Sequence, residues 1–133
     1  MKKLIQTRLH NPPLSRGNCF PTVIACFMDK DSPEDVIQIQ EHYEDEEGWM
    51  HLLLDFLEKE GWDLQSIDGH KNDDSFYLVS GGTERGTYHI CIYKNGKLYH
   101  DPHPSQNGLI TEEEYHRLEY KEKHKPSQEK KNT

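Results

Sequence analysis

The chain has 133 residues and a formal net charge of −8, which is the length of one domain with an acidic surface. Hydrophobic residues make up 32% of it and charged residues 30%, so we expect one small core under a polar surface. This balance argues against nucleic acid as a partner, because binding to phosphates needs clustered Lys and Arg.

The sequence pattern also argues against a membrane partner and against export. Residues 1–5 are followed by polar residues rather than by the apolar run of a signal peptide, and no apolar stretch is long enough to span a membrane. The three cysteines form no Cys-x-x-Cys pair and cannot all pair with one another. We therefore expect a cytoplasmic protein with free thiols, whose oligomeric state the sequence leaves open.

Residues 1–120 are predicted to form a single domain. Residues 121–133 carry five Lys and two Glu without apolar periodicity, which predicts a disordered charged tail. Near the other end, residues 4–9 are interpreted as a short strand that is ended by Asn11-Pro12-Pro13.

Three helices are expected in the first half of the chain. A helix from Cys19 to about Met28 has Pro at its first turn and apolar residues all round, so it should be buried. Ser32-Pro33-Glu34-Asp35 is typical of a helix start, with Ser as the N-cap. Residues 49–60 place apolar side chains at helical spacing, and Gly61 is expected to end that helix.

The second half changes to the alternation that is typical of strands. We predict strands over 62–64, 76–80, 87–93 and 98–101, polar or glycine-rich loops over 68–75 and 81–86, and a tight turn at Asn95-Gly96. Thr111-Glu112-Glu113-Glu114 has the pattern of a capping box, which predicts a last helix over 112–120. The expected fold class is α+β, with helices first and an antiparallel sheet after them.

Cys19 is the strongest candidate nucleophile. A glycine turn places it at the first turn of the buried helix, where unpaired N–H groups and the helix dipole favour a thiolate. A buried core cysteine is the competing interpretation, since free cysteine is among the most buried residue types. A catalytic role therefore depends on a base within reach.

His89 is the candidate base, and the hairpin that follows decides whether it has a partner. A two-residue turn at Asn95-Gly96 would turn Asp101 to the opposite face of the sheet. A three-residue loop over 94–96 would instead place Asp101 directly across from His89. We favour the second register, because it pairs the carboxylate with the imidazole and completes a nucleophile, base and orienter with Cys19.

Three short motifs now carry a resemblance to a known family. They are Gly17-Asn18-Cys19-Phe20, Arg85-Gly86-x-Tyr88-His89 and His100-Asp101-Pro102-His103-Pro104-Ser105. Their order is that of the papain-like cysteine enzymes, and the chain resembles a small papain-like fold family of phages and bacteria. It is also similar, more loosely, to bacteriocin-processing peptidase domains. The resemblance implies a papain-like fold and a thiol hydrolase, with a host protein as one candidate substrate.

The resemblance also implies an oxyanion-hole residue. Such families use a glutamine before the cysteine, and Gln6 matches that role, with Asn18 as the alternative and as a candidate substrate-binding residue. Arg85, in a glycine-rich loop beside the base, is a candidate to grip a substrate carboxylate or phosphate. His100 and His103 are expected to shape the pocket wall.

No metal or cofactor is expected. His100, Asp101 and His103 suggest a metal site, but structural zinc sites use ligand pairs from two segments, and the sequence offers no second pair.

The leading hypothesis is a papain-like cysteine hydrolase or acyl-transferase, with Cys19, His89, Asp101 and Gln6 acting on an amide or isopeptide bond of a peptide or small molecule. One alternative is a non-catalytic binding module of the same fold that captures a peptide or small anion with Arg85 and the histidines. Another is a structural protein that keeps the resemblance only by ancestry. Rapid alkylation of Cys19 distinguishes the first from the others.

Overall fold

The computed structural model describes residues 1–11 and 17–121, which form two helices and one five-stranded sheet. The helices are α1 (Cys19–Phe27) and α2 (Met50–Glu60). The strands are β1 (Trp62–Ser66), β2 (Phe76–Gly82), β3 (Tyr88–Lys94), β4 (Lys97–His100) and β5 (Glu114–Tyr120). Every strand pairing is antiparallel, and the strand order is β1-β5-β2-β3-β4. The α+β class is confirmed.

The main core lies between the helices and one face of the sheet. Alternate residues of β2 and β3 point to it, and α1 is buried along almost its whole length because its apolar residues surround the axis. The core is formed by Val23, Ile24, Ala25, Cys26, Phe27, Val36, Ile39, Leu53, Leu57, Leu78, Ile90, Ile92 and Leu118. A smaller cluster of Tyr77, Val79, Cys91 and Tyr93 covers the other face.

The two main helices and the four strands of the second half are confirmed to within a few residues. Gly61 ends α2 in the left-handed conformation, with φ 84°, and its N–H bonds to carbonyls of the last turn. β2 continues through Gly81 and Gly82, which had been expected to lie in the loop. Within the described residues, none of the helices is long and apolar enough to cross a membrane.

The helix expected from Ser32 is wrong. Ser32 does act as an N-cap, since its hydroxyl accepts from the N–H of Glu34 at 3.1 Å, but only a 3-10 turn over Pro33–Asp35 follows. Val36 is extended, and the side chain of Gln38 donates to the Pro33 and Val36 carbonyls at 2.8 Å. That side chain supplies the hydrogen bonds that a continuing helix would have made. A second 3-10 turn covers Ile39–His42.

The last predicted helix is also wrong, because residues 114–120 form β5. Thr111 does not cap a helix: its hydroxyl accepts from the N–H of Gly82 at 2.8 Å. β5 inserts between β1 and β2 and pairs with both. Hydrogen bonds to two strands outweigh the local preference for a helix start.

The first eleven residues form no regular strand, so the expected strand over 4–9 is wrong. They lie instead against α1 and the end of β4, held by single hydrogen bonds. Leu4 N donates to the thiol of Cys26 at 3.4 Å, and Gln6 N donates to Pro102 O at 2.8 Å. The predicted break at Pro12 and Pro13 and the predicted tail from residue 122 onward lie outside the described residues.

Candidate active site

Cys19 is the first residue of α1 and is half-buried. Asn18 precedes it as the N-cap residue, and the carbonyl of Asn18 accepts from both the N–H and the hydroxyl of Thr22, at 3.0 and 2.7 Å. Pro21 lies in the first turn of α1, where its missing N–H would have had no intrahelical partner. The thiol therefore lies at the end of the helix where backbone N–H groups have no intrahelical acceptor.

The hairpin between β3 and β4 corrects the favoured register. Asn95 and Gly96 both have positive φ, 52° and 78°, and form a two-residue turn that pairs Lys94 with Lys97. The three-residue loop is therefore wrong.

A bulge in β4 instead brings Asp101 to the face of the sheet that carries His89. Tyr93 faces Leu98, but the register shifts by one residue so that Ile92 faces His100. A one-residue shift exchanges the two faces of a strand. Continuing this register places Asp101 across from Cys91, on the face that also carries His89.

His89 and Asp101 form a buried pair. Nε2 of His89 lies 2.7 Å from Oδ1 of Asp101, and the two side chains are 4% and 0% exposed. The carboxylate also accepts from the N–H groups of His103 and Gly108, both at 2.8 Å. Burial acts to raise the pKa of Asp101, but the hydrogen bonds from His89 and from the two N–H groups lower it to about 2. Asp101 is thus a fixed anion.

The pKa of His89 is raised above its ordinary value of 6.5. Burial of the ring acts in the opposite direction, but the hydrogen bond to Asp101 and the interactions with the thiols of Cys19 and Cys91 outweigh it. Because Asp101 occupies Nε2, Nδ1 is the nitrogen that remains to exchange a proton with a thiol. Cys91 is fully buried, and burial raises the pKa of its thiol, so it stays neutral.

Cys19 and His89 open onto a surface cleft of about 580 Å³ that Gln6 also lines. Nε2 of Gln6 donates one hydrogen to Arg8 O at 3.0 Å, and its second amide hydrogen has no acceptor among the residues that the structure describes. A Cβ on Gly17 would lie 3.2 Å from that Nε2, so the amide sits tightly against the segment that leads to Cys19. The structure therefore brings Gln6, Cys19 and His89 to one cleft.

Asn18 and His100 face the protein interior instead. Asn18 is fully buried: its Oδ1 accepts from Arg8 N at 3.1 Å, and its Nδ2 donates to Thr7 Oγ1 and Gln38 Oε1 at 2.9 and 3.2 Å. Nε2 of His100 donates to Leu4 O at 2.5 Å. Neither side chain lines the cleft, and both tie the first eleven residues to the rest of the fold.

Arg85 and His103 do line the cleft, together with His89. The ring of His103 lies edge-on to that of His89, with centroids 6.1 Å apart. Nδ1 of His103 accepts from Ser105 N at 3.0 Å, which assigns the proton of the neutral ring to Nε2. Burial and the nearby charge of Arg85 lower the pKa of His103, so the ring is neutral at pH 7.

One group of side chains has the composition of a metal site. His89, Cys91 and Asp101 each offer one ligand atom, and these atoms lie within 4.8 Å of one another among the residues described. Structural zinc sites use four protein ligands and catalytic ones three plus an open position. Here the imidazole and the carboxylate already satisfy each other, and all three side chains are buried, so the donor set does not fit an open catalytic site.

Sequence reasoning missed the aromatic side chains around the nucleophile. Tyr43 and Tyr88 line the cleft, and Tyr88 is 56% exposed. Tyr88 is the first residue of β3, directly before His89, and successive strand residues point to opposite faces, so its position in the sequence did not place it beside the base. Tyr43 gave no signal, because its place depends on the 3-10 turn that replaced a helix.

Comparison with known proteins gives no relative from which a function for this site follows. No family model, no curated protein and no solved structure matches the chain. The papain-like family therefore stays a prediction.

Proposed function

We propose that the protein is a papain-like cysteine hydrolase or acyl-transferase that acts on an amide or isopeptide bond. The observation that carries the proposal is the buried His89–Asp101 pair, which interacts with a thiol at the start of α1 and opens onto a cleft. A nucleophile, a base and a residue that orients the base are the three parts of this chemistry.

In the proposed resting state, His89 is protonated and interacts with the sulfur of Cys19. The raised pKa of His89 supports this, because the ring then carries a positive charge that Asp101 balances. The helix dipole and the unpaired N–H groups at the start of α1 favour a thiolate over a neutral thiol there. Nδ1 of His89 is the atom that holds the shared proton.

The reaction then runs in two halves. Sγ of Cys19 attacks the carbonyl carbon, a C–S bond forms, and the carbonyl electron pair moves to the oxygen. The C–N bond breaks, and the amine leaves with the proton from His89. In the second half, water or an acceptor amine attacks the thioester carbon, and neutral His89 takes the proton that this nucleophile loses. The C–S bond breaks and the thiolate returns.

The oxyanion is held by donors that are already in place. Gln6 and Cys19 line the same cleft, and the side-chain amide of Gln6 and the backbone N–H of Cys19 are the two donors that the proposal uses. Removal of one such donor elsewhere lowers the rate by about 10²–10³. No cofactor enters these steps. Cys19, Cys26 and Cys91 are unpaired, which supports a reducing compartment such as the cytoplasm of a bacterial or phage-infected cell.

p-Nitrophenyl acetate tests the proposal without knowledge of the natural substrate. We expect a burst of p-nitrophenol, one acetyl group on the Cys19 peptide by mass spectrometry, and its removal by hydroxylamine, as for a thioester. Cys19→Ser should abolish the burst, and Cys26→Ser, at a buried position of the same helix, should keep it. Equal release by the wild type and Cys19→Ser would overturn the proposal.

A further inference from the structure

A second pocket meets the cleft at the nucleophile. It has a volume of about 420 Å³ and shares Cys19, His89, Tyr43 and Tyr88 with the cleft. Its other walls are mostly apolar: Phe20, Trp49, Met50, Leu64 and Ile90. We call this space the apolar pocket and the cleft of Gln6, Arg85 and His103 the polar cleft. Cys19 and His89 line both spaces, so a substrate whose carbonyl lies at Cys19 has room to extend into each of them.

The polar cleft has the opposite charge to the chain as a whole. The sequence holds 24 Asp and Glu against 16 Lys and Arg. Among the described residues, the side chains that line the polar cleft include Arg85 and three histidines but no carboxylate. Arg85 is held toward Ser105, to whose hydroxyl its Nη1 donates at 3.3 Å, and Nε2–H of neutral His103 is a second donor. This end of the site is complementary to an anion.

The apolar pocket disfavours an anion. Glu114 lies at its edge, where its carboxylate accepts from the hydroxyl of Tyr88 at 2.8 Å. A negatively charged group placed there would lose water among aromatic side chains and meet a like charge. The rings of Phe20 and Trp49 meet edge to face, with their centroids 6.4 Å apart. They offer a surface for another ring or for a branched apolar side chain.

We propose that the substrate is an amide with a bulky apolar or aromatic side chain on one side of the reacting carbonyl and a carboxylate on the other. The apolar group occupies the apolar pocket, and Arg85 with His103 binds the carboxylate. The guanidinium fork matches the two oxygens of a carboxylate, and one cation with one neutral donor suits a single negative charge. This inference rests on the proposed function and adds to it which part of the substrate each of the two spaces binds.

A series of alkylating reagents tests the two halves separately. Iodoacetamide is the reference, N-phenethyl-iodoacetamide carries an aromatic arm, and N-iodoacetyl-β-alanine carries a carboxylate arm. N-(2-aminoethyl)-iodoacetamide carries an ammonium arm. For each reagent the rate of Cys19 modification is divided by the iodoacetamide rate of the same protein. We expect ratios of about 10 or more for the aromatic and carboxylate arms and below one for the ammonium arm.

Two variants assign each ratio to its pocket. Arg85→Ala should bring the carboxylate ratio to about one and leave the aromatic ratio high, whereas Lys97→Ala, at an exposed cation away from both spaces, should change neither. Met50→Asp should lower the aromatic ratio. Met50 is an exposed first residue of α2, where an acid suits the helix dipole, so folding is kept.

The outcomes separate this inference from the proposed function. Rapid reaction with iodoacetamide but ratios near one for both arms would overturn the substrate class and leave the nucleophile intact. Failure of Cys19 to react even with iodoacetamide would overturn the proposed function, and with it the substrate class. A N-iodoacetyl-phosphoethanolamine ratio well above that of the β-alanine reagent would also overturn the carboxylate assignment, in favour of a phosphate.

Discussion

At the scale of single residues, Asp101 shows how the chain keeps a charge inside. The carboxylate is fully buried, yet it accepts three hydrogen bonds, one from His89 and two from backbone N–H groups. A buried carboxylate is stable only with such partners. These bonds also fix the direction of the His89 ring, so the same contacts serve stability and chemistry.

Asp101→Asn should lower the rate of Cys19 acetylation by p-nitrophenyl acetate by about 10²–10⁴-fold. An amide keeps the size of the carboxylate but turns an N–H group either toward His89 or toward a backbone N–H, so one contact is lost in each orientation. Asp45→Asn is the matched control, because Asp45 pairs with His42 at 2.8 Å on the surface. Equal loss in both variants would contradict the assigned role of Asp101.

The His89–Asp101 pair should also shape the dependence of stability on pH. The pKa of Asp101 is lowered in the folded state, so its contribution is present above pH 3.8 and is lost as the pH falls toward about 2. The pKa of His89 is raised, so its contribution is present below pH 6.5 and is lost as the pH rises above that value.

The free energy of unfolding of the wild type minus that of Asp101→Asn should therefore be largest between those two limits. Urea titrations at a series of pH values measure it. A difference that does not change from acid to alkaline pH would show that the pair is not ionised in the folded protein.

At the scale of elements, local sequence patterns predicted α1, α2 and the hairpin strands. They failed for elements whose conformation depends on pairing with distant segments. The end of α2 follows from Gly61 alone, because glycine adopts the left-handed conformation without strain. β5 could not be predicted in this way. Its position between β1 and β2 depends on pairing with residues far away in sequence, and the acidic run before it imitates a helix start.

The candidate site shows the same division. The types and order of Cys19, His89 and Asp101 were readable from the sequence. The face on which Asp101 lies depends on a bulge next to Tyr99, which no local pattern announced. The turn register was predicted wrongly, and Asp101 lies across from Cys91 rather than directly across from His89. The hydrogen bond between His89 and Asp101 was predicted correctly, because the bulge moves Asp101 to the face that carries His89.

Gly81→Ala tests the crossing of β2 by the segment before β5. Gly81 pairs with His89, and a Cβ there would lie 1.9 Å from the carbonyl oxygen of Thr111, a backbone atom that cannot swing away. We expect a loss of about 1–3 kcal/mol in the free energy of unfolding, measured with urea.

Gly82→Ala is the neighbouring control, since its Cβ would meet only the side-chain oxygen of Thr111, at 3.1 Å. It should cost less than Gly81→Ala. A larger loss for Gly82→Ala would show that the approach of the Thr111 carbonyl to Gly81 is not the reason for glycine at that position.

At the scale of the whole molecule, the first eleven residues act as part of the site rather than as a loose end. They carry Gln6 to the cleft, and contacts spread over the fold hold them there: Lys2 with Asp31 at 2.5 Å, Leu4 with His100, and Arg8 with Glu34 and Glu41. Buried Asn18 links this segment to the start of α1. Gln6, the proposed oxyanion donor, is thus positioned by several elements at once.

Removal of residues 1–5 should lower Cys19 acetylation more than tenfold, because Gln6 loses the anchoring of Leu4. Hydrogen exchange in β2 and β3 should stay slow, since Leu4, which is only partly buried, is the one removed residue that packs against the core. Lys2→Ala is the control: Lys2 and Asp31 form an exposed ion pair, which contributes little in water, so its loss should leave acetylation unchanged. Full activity of the truncated chain would exclude a role for this segment.

The most direct test of the account is the rate of Cys19 alkylation by iodoacetamide from about pH 5 to pH 9, in the wild type and in His89→Gln. Glutamine can still bond to Asp101 but cannot hold the proton of the thiol. If Cys19 and His89 share a proton, the wild-type rate is already at its plateau below pH 7, and the rate of the variant rises about tenfold per pH unit toward pH 8. Two coinciding curves that both rise through pH 8 would mean that Cys19 is an ordinary thiol, and the catalytic account would be wrong.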